Sequence, residues 1–211
     1  MTTVEVEGKK RGERKRGLGI ALENAWRTLS LRDPEDTARN SGSHYDKESC
    51  TFMVEFLGED YFVKTREKLV TSSKGEGTSP FYALLILHYL TGSKGIPLRG
   101  ELISFRELYG GNLYYQAFKN RAIEIIRKEF KSKPEKLLEK GMELGGKPDR
   151  LGDFSVSIPV FPKVPVKIVL WLGDEEVPSS VNILFDSTVG EHLHTEDIAA
   201  ISEELARRLC D

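Results

Sequence analysis

Cysteine is scarce in this chain of 211 residues, which has two, Cys50 and Cys210, far apart and outside any CxxC or Cys/His spacing. A thiolate-held metal or cluster would lack ligands, so reduced, inert thiols in a cytoplasmic protein are expected and no cofactor is. Long apolar runs are also missing. No stretch approaches the roughly 20 residues that span a bilayer, and the N-terminus carries no signal-peptide core, so no membrane segment is expected. There is no basic excess either. A formal net charge of −2 excludes a general polyanion binder, and nucleic acid is not the expected partner. Glutamine occurs once, as Gln116, in a chain that is 30% charged, a balance that leans towards a thermophilic source. Familiar catalytic loops are absent as well. Gly17-Leu18-Gly19 follows no strand, Gly75-Glu76-Gly77 lacks the Lys-Ser/Thr ending of a phosphate loop, and no Gly-x-Ser-x-Gly elbow occurs.

What is present is a long stretch of strand-like alternation from Asp153 to Asp186. Apolar residues recur at 154, 156 and 158 and again at 164, 166, 168, 170 and 172, the period of strands buried on one face. Three strands in a meander are predicted, with the acidic loop Gly173 to Ser180 between the second and third. Pro159, Pro162 and Pro165 cannot donate ladder hydrogen bonds, so the corner near Phe161 belongs at a sheet edge or bend.

Before this stretch, residues 1–17 crowd Lys9, Lys10, Arg11, Arg14, Lys15 and Arg16 without an apolar face, and read as a mobile basic tail. A helix is predicted over 18–31. Asp33-Pro34-Glu35-Asp36 opens a short second one, which Asn40-Ser41-Gly42-Ser43 ends. Cys50–Leu57 and Tyr61–Thr65 read as a hairpin turning at Gly58-Glu59-Asp60. A helix at about 79–91 is apolar all round apart from His88 and therefore internal. A brief strand at Glu101–Phe105, helices over Leu113–Phe130 and Pro134–Leu144, and a C-terminal helix capped by Thr195 complete the order. Helices, hairpin, helices, meander and helix make an α+β fold, a mostly antiparallel sheet with helices packed on it, as one domain over 18–211.

Residues able to carry chemistry are few. Asp174, Glu175 and Glu176 could hold a hard cation or work as an acid–base pair, but they equally make a solvated turn. His88 suits a satisfied, hydrogen-bonded interior imidazole or a proton-transfer group. Asp186, like Asp153, stands at a strand end, where aspartate commonly caps a turn. Trp171 and Tyr89 are the candidate ligand contacts. His192 and His194 at i and i+2 near Glu191 do not share a helical face, so no metal site is expected.

Val160-Phe161-Pro162-Lys163-Val164-Pro165-Val166, Leu170-Trp171-Leu172-Gly173-Asp174-Glu175-Glu176 and Ile183-Leu184-Phe185-Asp186 resemble an uncharacterised prokaryotic domain-of-unknown-function family, found mainly in anaerobic bacteria and archaea. Leu87-His88-Tyr89-Leu90, Ile103-Ser104-Phe105-Arg106-Glu107-Leu108 and Tyr114-Tyr115-Gln116-Ala117-Phe118 extend the resemblance to about residues 20–209. Some members of that family are fused to an iron–sulfur module, as in corrinoid proteins. The resemblance implies an accessory role beside a protein partner that carries an iron–sulfur or corrinoid centre, since two cysteines cannot make a four-cysteine cluster site. A non-catalytic cytoplasmic binding or accessory domain is the leading expectation. The alternatives are an enzyme that gathers His88, Trp171, Asp174, Glu175 and Asp186 at one end of the sheet, and nucleic-acid binding through the basic tail.

Overall fold

The computed structural model describes residues 3–211, with side chains described from Arg16 onward, so the basic segment 1–17 lies almost wholly outside the described side chains. Helix α1 (Thr3–Ser30) contains the helix expected from residue 18 and extends N-terminally to Thr3. Asp33 caps α2 (Pro34–Ser41), its carboxylate accepting the Asp36 N–H at 2.9 Å. Four antiparallel strands follow in sequence order: β1 (His44–Asp46), β2 (Thr51–Phe56), β3 (Glu59–Lys64) and β4 (Leu69–Ser72). Helix α3 (Pro80–Gly92) begins at Ser79, whose hydroxyl accepts from Tyr82 N–H.

A second antiparallel sheet has the order β5-β9-β8-β7-β6, built from β5 (Leu102–Ser104), β6 (Lys147–Pro148), β7 (Phe154–Phe161), β8 (Val164–Trp171) and β9 (Ser180–Asp186). The α+β class and the meander are as the sequence indicates, but the hairpin and the meander occupy separate sheets. The two sheets meet at the β2–β3 turn, where Leu57 N–H donates to the Val160 carbonyl on β7 at 3.0 Å. That carbonyl is free for Leu57 because β6 pairs only with Ser157 and Val156. The proline corner behaves as expected: Pro159 faces Pro165 across the β7–β8 hairpin, and the register shifts between Pro159 and Phe161. Beneath it Phe161 stacks between Tyr89 of α3, at 4.1 Å, and Phe56 of β2, at 4.7 Å.

Between the sheet segments lie α4 (Gly111–Phe118), a π turn (Lys119–Ile123), α5 (Glu124–Phe130) and α6 (Glu135–Glu143). Phe118, Ala122, Ile126 and Phe130 are all buried although each is four residues from the next. At about 100° per residue an unbroken α-helix would carry Phe130 roughly 120° away from Phe118. The π turn absorbs one residue and restores the face. Helix α6 approaches β7 so closely that a Cβ on Gly141 would stand 2.6 Å from Val156 Cγ2.

Helix α7 (Thr195–Cys210) closes the chain, with Ile198, Ile201, Leu205 and Leu209 buried as its spacing predicts. Its N-cap is His194, not Thr195. Thr195 is the first helical residue, and its hydroxyl donates to the Tyr109 carbonyl at 2.8 Å, an acceptor on a distant loop that no local pattern reveals. No described helix is long and apolar enough to cross a membrane.

Candidate functional site

His88 lies on α3, whose neighbouring residues Leu87, Tyr89 and Leu90 are buried in the core. The helix is apolar almost all round, so a polar residue on it needs a partner, and His88 finds one across the fold. Its Nδ1 is 2.9 Å from Asp197 Oδ1 in the first turn of α7. Asp197 is nearly buried, while the imidazole is about one-third exposed, with side-chain values of 11% and 32%. With Asp197 ionised, Nδ1 carries the shared proton and Nε2 is left for a ligand.

The imidazole opens into a cleft of about 640 Å³ whose walls are α1 and the turn after it (Asn24, Thr28, Arg32), the end of α3 (Thr91, Gly92) and the segment Gly190–His194 that leads into α7. The last two walls touch through glycine. A Cβ on Gly92 would lie 2.7 Å from the His192 carbonyl oxygen, too close for any side chain, so Gly92 sets the approach of α3 to this turn. Lys94 N–H donates to the Glu191 carbonyl, and its ammonium pairs with Glu191 Oε2 at 2.9 Å. His192 is completely buried, yet neither ring nitrogen has a hydrogen-bond partner. Burial lowers its pKa, and an interaction with the Ile96 backbone opposes that shift. His194, the N-cap of α7, completes the cleft and makes no side-chain capping bond.

Residues 33–208 match the model of a family described as a domain of unknown function, DUF3786. The chain belongs to the DUF3786 family. No curated protein and no solved structure shows a significant match to it. In this DUF3786 domain His88, Lys94, His192 and Asp197 fall within the matched span, whereas the α1 wall of the cleft precedes it.

The other candidates read from the sequence do not converge on His88. Tyr89 faces the opposite way, into the core, where its hydroxyl donates to the Ser41 carbonyl at 2.5 Å and accepts from Lys163 N–H at 3.0 Å. Burial pushes its pKa well above the tyrosine range. Trp171 is half-exposed at the end of β8, paired with Ser180. Asp174 and Glu175 are exposed on the loop that follows. Asp174 Oδ1 accepts from Glu176 and Val177 N–H at 2.9 and 2.7 Å, and these two bonds hold its pKa below the usual carboxylate value. Asp186 is at the far end of β9 from that loop, six steps of about 3.3 Å away, or roughly 20 Å. Both of its oxygens serve backbone and hydroxyl donors of Arg99, Gly100 and Thr188. Burial alone would raise its pKa, but these bonds outweigh it and lower it.

Asp174 therefore organises a turn, and Asp186 organises the strand-end loop. Changing Glu175 or Glu176 to Gln should move the melting temperature by no more than about 1 °C, with no added response to calcium, magnesium, manganese or zinc. A shift of several degrees with one of these metals, lost in the Glu175 variant, would restore a site to the loop.

Among the described residues no three His, Cys, Asp or Glu side chains gather as metal ligands, the cleft histidines included. Cys50 and Cys210 are unpaired, and burial raises the Cys210 thiol to about 11. Lys94 and Arg32 in the cleft lining, and Asp197 as the partner of His88, are the residues that sequence reading missed. Asp197 lies 109 residues from His88 and reads by itself only as a dipole-favoured acid at a helix start.

Proposed function

We propose that this DUF3786 domain is a cytoplasmic binding or accessory module whose ligand enters the His88 cleft. The observation that carries this is the 2.9 Å bond between His88 and Asp197, which orients an imidazole at a solvent-accessible opening of metabolite size. Resemblance to a family with iron–sulfur-fused members supports a place for the module beside a partner protein carrying an iron–sulfur or corrinoid centre.

A panel of nucleotides, sugar phosphates, dicarboxylates and amino acids, screened by thermal shift, tests the reading. At least one class should raise the melting temperature by about 5 °C when present far above its Kd. His88→Gln should remove that rise, and Glu175→Gln, on the remote loop, should retain it. A panel without effect, or an equal rise in His88→Gln, would rule the cleft out.

A second reading, proton-transfer catalysis, draws on the same bond, because an imidazole held by a carboxylate is a general acid–base unit. The nearest hydroxyl on its helix, Thr91, donates to the Leu87 carbonyl at 2.7 Å and is no activated nucleophile. An enzyme here would move protons and would not form an acyl intermediate.

A further inference from the structure

The geometry points to a small organic anion, bearing a carboxylate or a phosphoryl group, as the ligand of the His88 cleft. This inference rests on the reading of that cleft as a ligand site and adds the chemical class. Charge is the first support. Arg32 and Lys94 line the cleft and no aspartate or glutamate does, in a chain whose acids outnumber its bases, 33 to 31. Two carboxylates are already paired with lining residues, Asp197 with His88 and Glu191 with Lys94, at 2.9 Å each, which among the described residues leaves Arg32 as the lining cation outside such a pair. Glu196, the other acid in the first turn of α7, lines a different groove with Ala199 and Glu203.

The backbone is the second support. Helix α7 is 16 residues long and starts at the cleft wall, with His194 at its N-cap and no side chain capping its first N–H groups. The positive end of a helix favours an anion there. The third support is independent of both. His192 lines the cleft completely buried, and neither ring nitrogen makes a hydrogen bond of full geometry, so a hydrogen-bonding occupant, ligand or water, would satisfy it. At about 640 Å³ the opening holds more than a bare oxyanion, which argues for a metabolite that ends in one.

The chain has four histidines, so ring ¹H–¹⁵N spectra of the full-length protein are simple to assign with single His→Gln variants. Titrations at constant ionic strength with inorganic phosphate, succinate and the neutral succinamide provide the test. Phosphate or succinate should shift the His88 and His192 ring signals saturably, whichever of the two binds more tightly naming the anionic group. Arg32→Gln should raise the apparent Kd at least fivefold while the melting temperature holds. Equal binding of succinamide, or no effect of Arg32→Gln, would overturn the anion class and leave the cleft a ligand site. If none of the three probes moves His88 or His192, the anion class and the reading of the cleft fall together.

Discussion

Phe161→Ala should lower the stability of the domain by about 4 kcal/mol, as expected when a large aromatic is removed from a close-packed site. For a chain of this size that corresponds to a melting temperature lower by roughly 10 °C. Phe161 is fully buried. Its ring lies between Tyr89 and Phe56 at interplanar angles of 8° and 23°, so one side chain joins β7, α3 and β2 and thereby both sheets. The surroundings cannot collapse easily into the space left behind. Tyr89 is pinned through its hydroxyl to Ser41 and Lys163, and Pro159 and Pro165 stiffen the hairpin above. Urea denaturation of the wild type, Phe161→Ala and Phe161→Leu checks this, with the leucine variant losing less than half as much. A loss below about 1.5 kcal/mol in the alanine variant would show that the stack does not join the sheets.

Glu204→Ala should cost about 3–5 kcal/mol, the cost of removing one partner from a buried ion pair. Glu204 is on α7 with its side chain 8% exposed. Its carboxylate accepts from Arg207 at 2.7 and 3.0 Å, from Arg208 Nε at 3.0 Å and from the Tyr82 hydroxyl. Arg208, itself mostly buried, also reaches Tyr61 and lies over the Tyr82 ring. Without Glu204 its charge stays inside the fold with no counter-ion. The pH dependence has a definite sign. Burial alone would raise the Glu204 pKa, but the hydrogen bonds from Arg207, Tyr82 and Arg208 outweigh it and lower it. A folded-state pKa below the unfolded value, about 4.3, contributes stability above that pH and loses it as pH falls through the folded value. The stability gap between wild type and Glu204→Gln should therefore be full at pH 7 and narrow below about pH 4. A gap that widened on acidification would contradict the arrangement.

The order of elements could be read from local signals where these are strong. Alternation at 154–158 and 164–172, the Asp33-Pro34 start and the apolar run of α3 each reflect burial imposed on a fixed backbone period. Strands β1, β4 and β6, each of four residues or fewer, escaped because periodicity marks such short elements poorly, and of the strands that short only β5 was expected. The division into two sheets also escaped, since it rests on the Leu57–Val160 bond and on pairing between distant segments. Sequence reading found His88 but could not supply its partner. His192 and His194 failed as a ligand pair by spacing, and the fold uses them differently, one buried in the cleft wall and one at a helix start. Arg207 and Arg208 read as complements to the helix dipole. They also hold Glu204, one turn back at i−3 and i−4.

The π turn at Lys119–Ile123 has a consequence for how this part of the chain can change length. It keeps Phe118, Ala122, Ile126 and Phe130 on one buried face only while one surplus residue stays in the turn. A single-residue deletion there would leave a regular helix with good hydrogen bonds but would swing α5 about 100° around its axis, taking Ile126 and Phe130 off the core. The exposed loop residues 73–76 and 174–178 can absorb insertions and deletions with little penalty. Within Gly111–Phe130 residue count and residue identity are bound together, so a shortening in one half needs an equal lengthening in the same turn to keep the face.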